Sequence, residues 1–417
     1  MASICRLTNQ SRRQTVWQPQ NQAGDFLFNR IASFVCCSTL SPITRILSEN
    51  TMKYLGDADY QHGSPSRLGV LLVNLGTPDS TEVKDVRRYL KQFLSDPRIV
   101  EVPRLLWWLI LNGVILRIRP AKTAEAYKSV WDEKEGSPLL SISRKQTDAL
   151  AAKMSTGLDA DVVLAMRYGN PSVADAITRL REKNIRRLVV LPMYPQYSGS
   201  TVASVFDEVT AQLSKLRWLP ECRFINQYFD EHTYIEALAT SVEAHWQQHG
   251  KPQQLIMSYH GIPQRYRTKG DPYFCQCQAT SRLLADRLQL TKDQFQVVFQ
   301  SRFGKEPWLQ PYCDETLKSL PAQGIKNIHV ICPGFSADCL ETIEEIEEEN
   351  KEYFIEAGGK QFSYIPALNE QPMHIDMMKA LIERHCKGWP ESDEVDINNK
   401  EELAASRERA LALGATA

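Results

Sequence analysis

Residues 67–80 read RLGVLLVNLGTPDS, and this stretch decides the fold. Its apolar run, 68–73, is too short for a globular helix and is bounded by Gly and Pro. That pattern predicts a strand buried on both faces, as in a parallel sheet. The run passes into Asn74-Leu75-Gly76-Thr77-Pro78, read as a tight polar turn, and then into a helical pattern over 80–94. Strand, turn and helix in that order present side chains at the carboxyl end of a strand, where open α/β sheets bind ligands. The turn has neither GxGxxG spacing nor the lysine of a phosphate-binding loop, so nothing supports a nucleotide.

Working outward, the cadence recurs. A strand over 161–166 ends in Arg167-Tyr168-Gly169-Asn170-Pro171, and one over 187–191 ends in Pro192-Met193-Tyr194-Pro195-Gln196-Tyr197-Ser198. A strand over 222–228 closes the first series. After a long helix over 231–249 the series restarts: strand 254–258 ends in Tyr259-His260-Gly261-Ile262-Pro263, and strand 295–300 ends in Ser301-Arg302-Phe303-Gly304. Strand 327–332, helix 338–354, strand 361–365 and helix 372–385 complete it. Two βα series of similar length predict an α/β protein of two Rossmann-like domains, each a parallel sheet flanked by helices, with the active-site cleft between them. The first spans 68–230 and the second 231–387; residues 1–67 read as a flexible extension, and 388–417 as a charged, Ala-rich tail or peripheral helix.

The chain of 417 residues is long enough for two such domains. A formal net charge of -1 lacks the basic field of a nucleic-acid binder. Ten scattered cysteines with no cleavable secretory signal before them point to reduced thiols and a cytoplasmic protein. No segment reaches the roughly 18 consecutive apolar residues of a membrane span. The segment 102–120 is apolar on all faces from Leu105 to Leu111, with Arg104, Arg117 and Arg119 flanking it. Two readings stand for it: a buried core helix, or an apolar lip that dips into a bilayer surface with Trp107 or Trp108 at interface depth.

Few residues could carry chemistry. His260, beside Gly261 and near Pro263, sits where a strand end aims a side chain into the crevice, and imidazole takes a proton or a metal near neutrality. It could equally be a structural histidine at a turn. Glu341 follows Asp338 as D-x-x-E, the spacing of a capping box at a helix start. Yet Glu341, Glu345 and Glu348 or Glu349 recur at helical spacing, as a solvated acidic face or as a ladder of hard oxygen ligands. Arg167-Tyr168, Tyr194, Tyr197 and Trp308 would suit a flat aromatic ligand bearing carboxylates. Cys275-x-Cys277 lacks the second pair of a zinc site, and there is no GxSxG or HExxH motif.

Together these segments resemble one family, the ferrochelatases, which insert ferrous iron into porphyrin. The resemblance rests on LLVNLGTPDS at 71–80, RYGNP at 167–171, LPMYPQYS at 191–198, SYHGIP at 258–263, FQSRFGKEPWLQP at 299–311 and PGFSADCLETIEEI at 333–346. It implies that Fe²⁺ is inserted into protoporphyrin IX, or alternatively coproporphyrin III, with ferrous iron as substrate and no permanently bound cofactor. By position His260 is similar to the family's iron ligand and proton acceptor, and Glu341 to its partner carboxylate. Glu345 and Glu349 resemble the acidic trail behind it. Asn74, Leu75, Arg167, Tyr168, Tyr194 and Trp308 would line the macrocycle. The stretch near Trp107 resembles a membrane-facing lip, which implies a monomer in peripheral contact with lipid at the inner face of the cytoplasmic membrane. Animal members hold a [2Fe–2S] cluster, but Gly199 stands at its first cysteine position and the tail has only Cys386, so no cluster is expected. Cys339 replaces a histidine of animal members two residues before the glutamate.

Overall fold

Strand β1 is Arg67–Thr77, and in the computed structural model it lies between β2, Ala160–Gly169, and β3, Ile185–Pro192, with β4, Glu221–Phe224, beyond β3. The second sheet repeats this order: β5, Gln254–His260, lies between β6, Phe295–Gln300, and β7, Asn327–Ile331, with β8, Gln361–Ile365, at the edge. All pairings in both sheets are parallel. By strand order β1 and β5 are therefore counterparts, and each is the strand next to its sheet's switch of direction, where a crevice opens at the carboxyl ends. The structure describes residues 54–415 apart from 58–59, 303, 305 and 393–397. Most of the extension read at 1–67 thus lies outside the described residues, as does part of the 388–417 tail; within that tail a helix spans Lys400–Ala412.

The expectation of buried parallel strands holds residue by residue: Leu68, Val70, Leu71, Leu72 and Val73 are all buried. Alternate side chains feed two apolar clusters. Leu68, Val70 and Leu72 join Met257, Tyr259 and Phe299 in a core shared by both sheets, whereas Leu71 and Val73 pack against Ile177, Leu188 and Val205 on the other face. The polar turn expected after Val73 comes later than the sequence suggests. β1 runs on through Asn74 and Leu75, paired with β2 as far as Gly169. Gly76 makes this extension feasible: it sits at φ +112, and a Cβ there would lie 1.7 Å from the Tyr168 carbonyl oxygen. β5 likewise continues through His260, which is in register with Gln300.

The segment 102–120 folds as the helix Arg104–Ile110, a π-helical turn at Leu111–Ile115 and the helix Leu116–Val130. It is not a buried core helix: no residue of Arg104–Ile110 is buried, and Leu105, Trp108, Leu109, Val114 and Ile118 are all more than half exposed. Pro120 lies inside the second helix and has no N–H for the Leu116 carbonyl. Arg87 supplies the missing donor, its Nε 3.0 Å from that oxygen, and so ties the helix Val83–Ser95 to this one.

Candidate active site

One cavity of about 790 Å³ opens at the carboxyl ends of β1 and β5 and receives Asn74, Leu75, Tyr194, His260, Trp308 and Glu341. Asn74 and His260 reach it from counterpart strands. Asn74 is buried, its amide donating to Ser143 Oγ at 3.1 Å while its oxygen accepts the Leu75 N–H at 2.9 Å. His260 is half-buried, and its Nδ1 lies 2.6 Å from the Gly261 carbonyl oxygen. A carbonyl can only accept, so Nδ1 carries the proton and the neutral ring keeps its lone pair on Nε2. The sequence places a histidine here; the hydrogen bond decides which nitrogen can act.

The acidic helix departs from its expected form in two ways. Asp338 does not cap it. The Asp338 carboxylate accepts from Tyr364 Oη at 2.6 Å, Asn369 Nδ2 at 2.7 Å, Thr342 Oγ1 at 3.1 Å and the Ala367 N–H at 3.2 Å. The cap is Cys339, whose N–H donates to Thr342 Oγ1 at 3.0 Å. The capping box read at Asp338 and Glu341 is thus displaced by one residue, because Asp338 is taken by the strand end and loop after β8.

The second departure is the π-helical course of Ile343–Asn350, where each turn is widened by one residue. The buried Asn350 side chain donates from Nδ2 to the Glu345 carbonyl at 2.7 Å, five residues back. Glu341, in the α-helical turn just before, and Glu344, Glu345 and Glu349 of the widened turns line the cavity, while Glu348 is not among its lining residues. A wheel of ordinary helical period sets Glu348 closest to the direction of Glu341, with Glu344 and Glu349 to either side; no spacing in the sequence announces the π turns that leave Glu348 out.

Glu345 is held from three sides. It accepts the Ser301 N–H at 2.7 Å, the Ser301 hydroxyl, and Gln300 Nε2 at 3.2 Å. Burial pushes its carboxyl above the ordinary glutamate range, and the Glu341 charge adds to that; Ser301, His260 and Gln300 pull the other way without prevailing. Glu344 is raised too, by burial and by the neighbouring charges of Glu349, Glu345, Glu348 and Glu341. Glu344 and Glu345 are thus the carboxyls of this wall that burial and crowding dispose to hold a proton. Glu349 lies farther along, accepting from Tyr353 Oη at 2.5 Å.

Two expected lining residues go elsewhere. Arg167 and Tyr168 do not line the cavity; both point to Asp96. Arg167 Nη2 and Tyr168 Oη lie 2.5 and 2.8 Å from the same Asp96 oxygen, and Ser204 Oγ donates to it at 2.6 Å. The signal the sequence lacked was Asp96 itself, a buried carboxylate in the Ser-Asp-Pro after the helix Val83–Ser95, which demands such partners. Burial pushes the Asp96 carboxyl up, but Ser204, the Arg98 N–H, Tyr168 and Arg167 outweigh it and hold it below its usual range. Its contribution to stability is therefore present at neutral pH and lost as pH falls through the lowered folded-state value. Asp96→Ala, which leaves the largely buried Arg167 with Glu208 at 3.5 Å as its one acidic partner among the described residues, beside its hydrogen bonds to Ser204, should cost about 3 kcal/mol of unfolding free energy in urea titration. A loss below about 1 kcal/mol would show the cluster to be dispensable.

Trp107, which the sequence left undecided, lines the cavity and donates its indole N–H to the Leu94 carbonyl at 2.6 Å, while Trp108 faces solvent. Two polar atoms beside the cavity, Tyr194 Oη and Trp308 Nε1, are buried without a protein partner.

The family profile described as Ferrochelatase matches residues 67–386. The chain is 56% identical over 363 residues to a ferrochelatase of Marinobacter nauticus, a match covering 86% of this chain and 98% of that one. It is 54% identical over 368 residues to a ferrochelatase of Thioalkalivibrio sulfidiphilus, covering 87% and 100% respectively. Among solved structures it is similar to SirB from Bacillus subtilis with Fe³⁺, at 11% identity and a TM-score of 0.44, over 79% of this chain and 99% of that one.

Proposed function

We infer the reaction from one premise: the chain belongs to the ferrochelatase family, and so to the enzymes that insert metal into a porphyrin in haem synthesis. Within that class we propose that it inserts Fe²⁺ into protoporphyrin IX, releasing protohaem and two protons. The observation that carries this reading is the shared cavity, in which the lone pair of His260 and a wall of four glutamates meet apolar surface from Leu75, Phe93, Ile99 and Trp107. Protoporphyrin is the more lipophilic of the two candidate substrates, and coproporphyrin III carries additional carboxylates. A mouth formed by Trp107 and Ile115 inside, with Trp108 and Leu105 exposed outside, suits the lipophilic ring.

The chemistry asks for two things. The pyrrole N–H groups must give up their protons, and the lone pairs that remain must bind the metal. Nε2 of His260 takes one proton, since Nδ1–H is already committed to Gly261. The second proton goes to the carboxylate wall, where the charges of Glu341, Glu344, Glu345 and Glu349 favour its uptake. The same carboxylates offer hard oxygen ligands along which arriving Fe²⁺, the second substrate, can be held. Anaerobic incubation with Fe²⁺ and each porphyrin, followed optically, tests the assignment. Faster metallation of coproporphyrin would overturn the substrate, and metallation of neither would overturn the reaction.

The exposed flank of 104–118 is, in this reading, a lip in peripheral contact with lipid, and the protein works as a monomer on the inner face of the cytoplasmic membrane. No described helix is long and apolar enough to cross a membrane. Trp108→Ser should lower co-sedimentation with phosphatidylcholine vesicles at unchanged thermal stability, because the ring is 60% exposed. Undiminished vesicle binding by that variant would remove the lip. No [2Fe–2S] cluster belongs to this reading either. Gly199 offers no thiol at the first ligand position, and its N–H is engaged by the Asp271 carboxylate at 2.7 Å. Acid-labile sulfide in the purified protein, matched by visible absorption, would contradict this.

A further inference from the structure

A second cavity, of about 570 Å³ and open to solvent, lies away from the active site and is lined by Lys84, Arg87, Arg88, Lys91 and Arg117, with Asn112 and Leu116 between. The four cations of the helix Val83–Ser95 recur at i, i+3, i+4 and i+7, so they form one stripe along a single face. Like charges so arranged repel one another unless an anion compensates them. Among the described residues, the salt bridges of this stripe run from Arg88 to Asp79 and Asp85, at 2.5 and 3.0 Å, and Lys84 lies near Asp85 without bridging to it. Lys84, Lys91 and Arg117 are left facing the opening. The groove is held open by Arg87, whose Nε is tied to the Leu116 carbonyl across it at 3.0 Å.

Its position matters as much as its charge. The far wall, Asn112 to Arg117, belongs to the same continuous helical stretch as the exposed apolar flank, and Arg117 is followed directly by Ile118, which is 71% exposed. Asn112 donates to the Trp108 carbonyl at 2.9 Å, within one turn of the exposed indole. Cationic groove and apolar flank thus adjoin, which is the pairing that bilayer surfaces with anionic headgroups recognise.

We propose that this groove is a headgroup site for anionic phospholipid, holding a lipid phosphate in Lys84, Lys91 and Arg117 while the neighbouring apolar flank enters the acyl boundary. The proposal rests on the lip reading above and adds to it a preference for one class of lipid. It orients the protein as well, since headgroup site and lip then touch the membrane together and the cavity mouth between Trp107 and Ile115 is turned toward lipid.

The test is co-sedimentation with phosphatidylcholine vesicles and with vesicles containing added phosphatidylglycerol, using the full chain, Trp108→Ser, and the triple variant Lys84→Ala/Lys91→Ala/Arg117→Ala. Arg87 and Arg88 are left intact because they serve the fold. Each cation near an anionic surface contributes roughly fivefold to binding, so the triple variant should bind the anionic vesicles on the order of 10²-fold more weakly. Its binding to phosphatidylcholine, its melting temperature and its turnover in detergent should match those of the unaltered chain. Equal binding of the unaltered chain to both vesicle types, or an undiminished preference in the triple variant, would overturn the headgroup site and leave the lip standing. Loss of all vesicle binding in Trp108→Ser together with a normal anionic preference in the unaltered chain supports both. If inorganic phosphate displaces the protein from anionic vesicles far better than chloride of equal ionic strength, the groove is a site for free phosphate, and the membrane proposal falls.

Discussion

His260→Ala should leave a folded protein that still takes up porphyrin but inserts iron about 10²–10⁴-fold more slowly, the range of a positioned general base. Three features make the effect large. β5 carries the residue to its last position, in register with Gln300, so backbone pairing fixes the Cα. The Nδ1 contact to the Gly261 carbonyl at 2.6 Å fixes the ring and its tautomer, leaving Nε2 as the accepting atom. The carboxylates of the cavity wall already crowd one another, and the arginines, tyrosines and Cys339 that also line it hold their protons, so none replaces an imidazole base at that place. Porphyrin uptake should persist, because the apolar lining is untouched. The measurement is single-turnover metallation under anaerobic conditions, with porphyrin binding followed separately by fluorescence. Near-normal insertion by the variant would remove His260 from the reaction; partial recovery with added imidazole would support its role as a base.

Glu341→Gln should lower turnover by about 10²-fold with porphyrin affinity largely kept, because an amide neither accepts a proton at neutral pH nor serves well as a ligand for Fe²⁺. Its stability should stay within about 0.5 kcal/mol of the unaltered protein. That second expectation comes from the structure, since the backbone cap is the Cys339 N–H on Thr342 Oγ1, and a glutamine keeps the side-chain contact that Glu341 makes with the Cys339 thiol. A clear loss of stability with full activity would return Glu341 to a structural role. Full activity with unchanged stability would shift the proton work to Glu344 and Glu345.

Strand ends were readable in the chain because burial on both faces leaves a plain trace: an unbroken apolar run that stops at polar residues and glycine. That trace led directly to His260, and the family resemblance added Asn74; both line the cavity. Side chains whose direction depends on a distant partner left no such trace. Arg167 and Tyr168 stand at a strand end as well, yet a carboxylate 71 residues earlier in the chain claims the guanidinium. The choice between Glu348 and Glu349 was hidden for a different reason, since it follows from a hydrogen-bond pattern that no residue type marks. The apolar stretch 104–118 was ambiguous on composition alone; only the neighbouring elements decide which of Trp107 and Trp108 is inside.

The widened turns of Ile343–Asn350 also bear on how this part of the chain can change over time. In a regular helix, a substitution is judged by the side chain it brings, and the aim of every other residue is unaffected. Here the aim of Glu344, Glu345 and Glu349 depends on residue count. Losing a single residue anywhere in the segment would let it relax to ordinary helical winding, a local gain in regularity that would rotate the carboxylates downstream away from Glu341. The segment is thus tolerant of replacement on its outer face and intolerant of any change in length, with the fixed point being Asn350 Nδ2 on the Glu345 carbonyl.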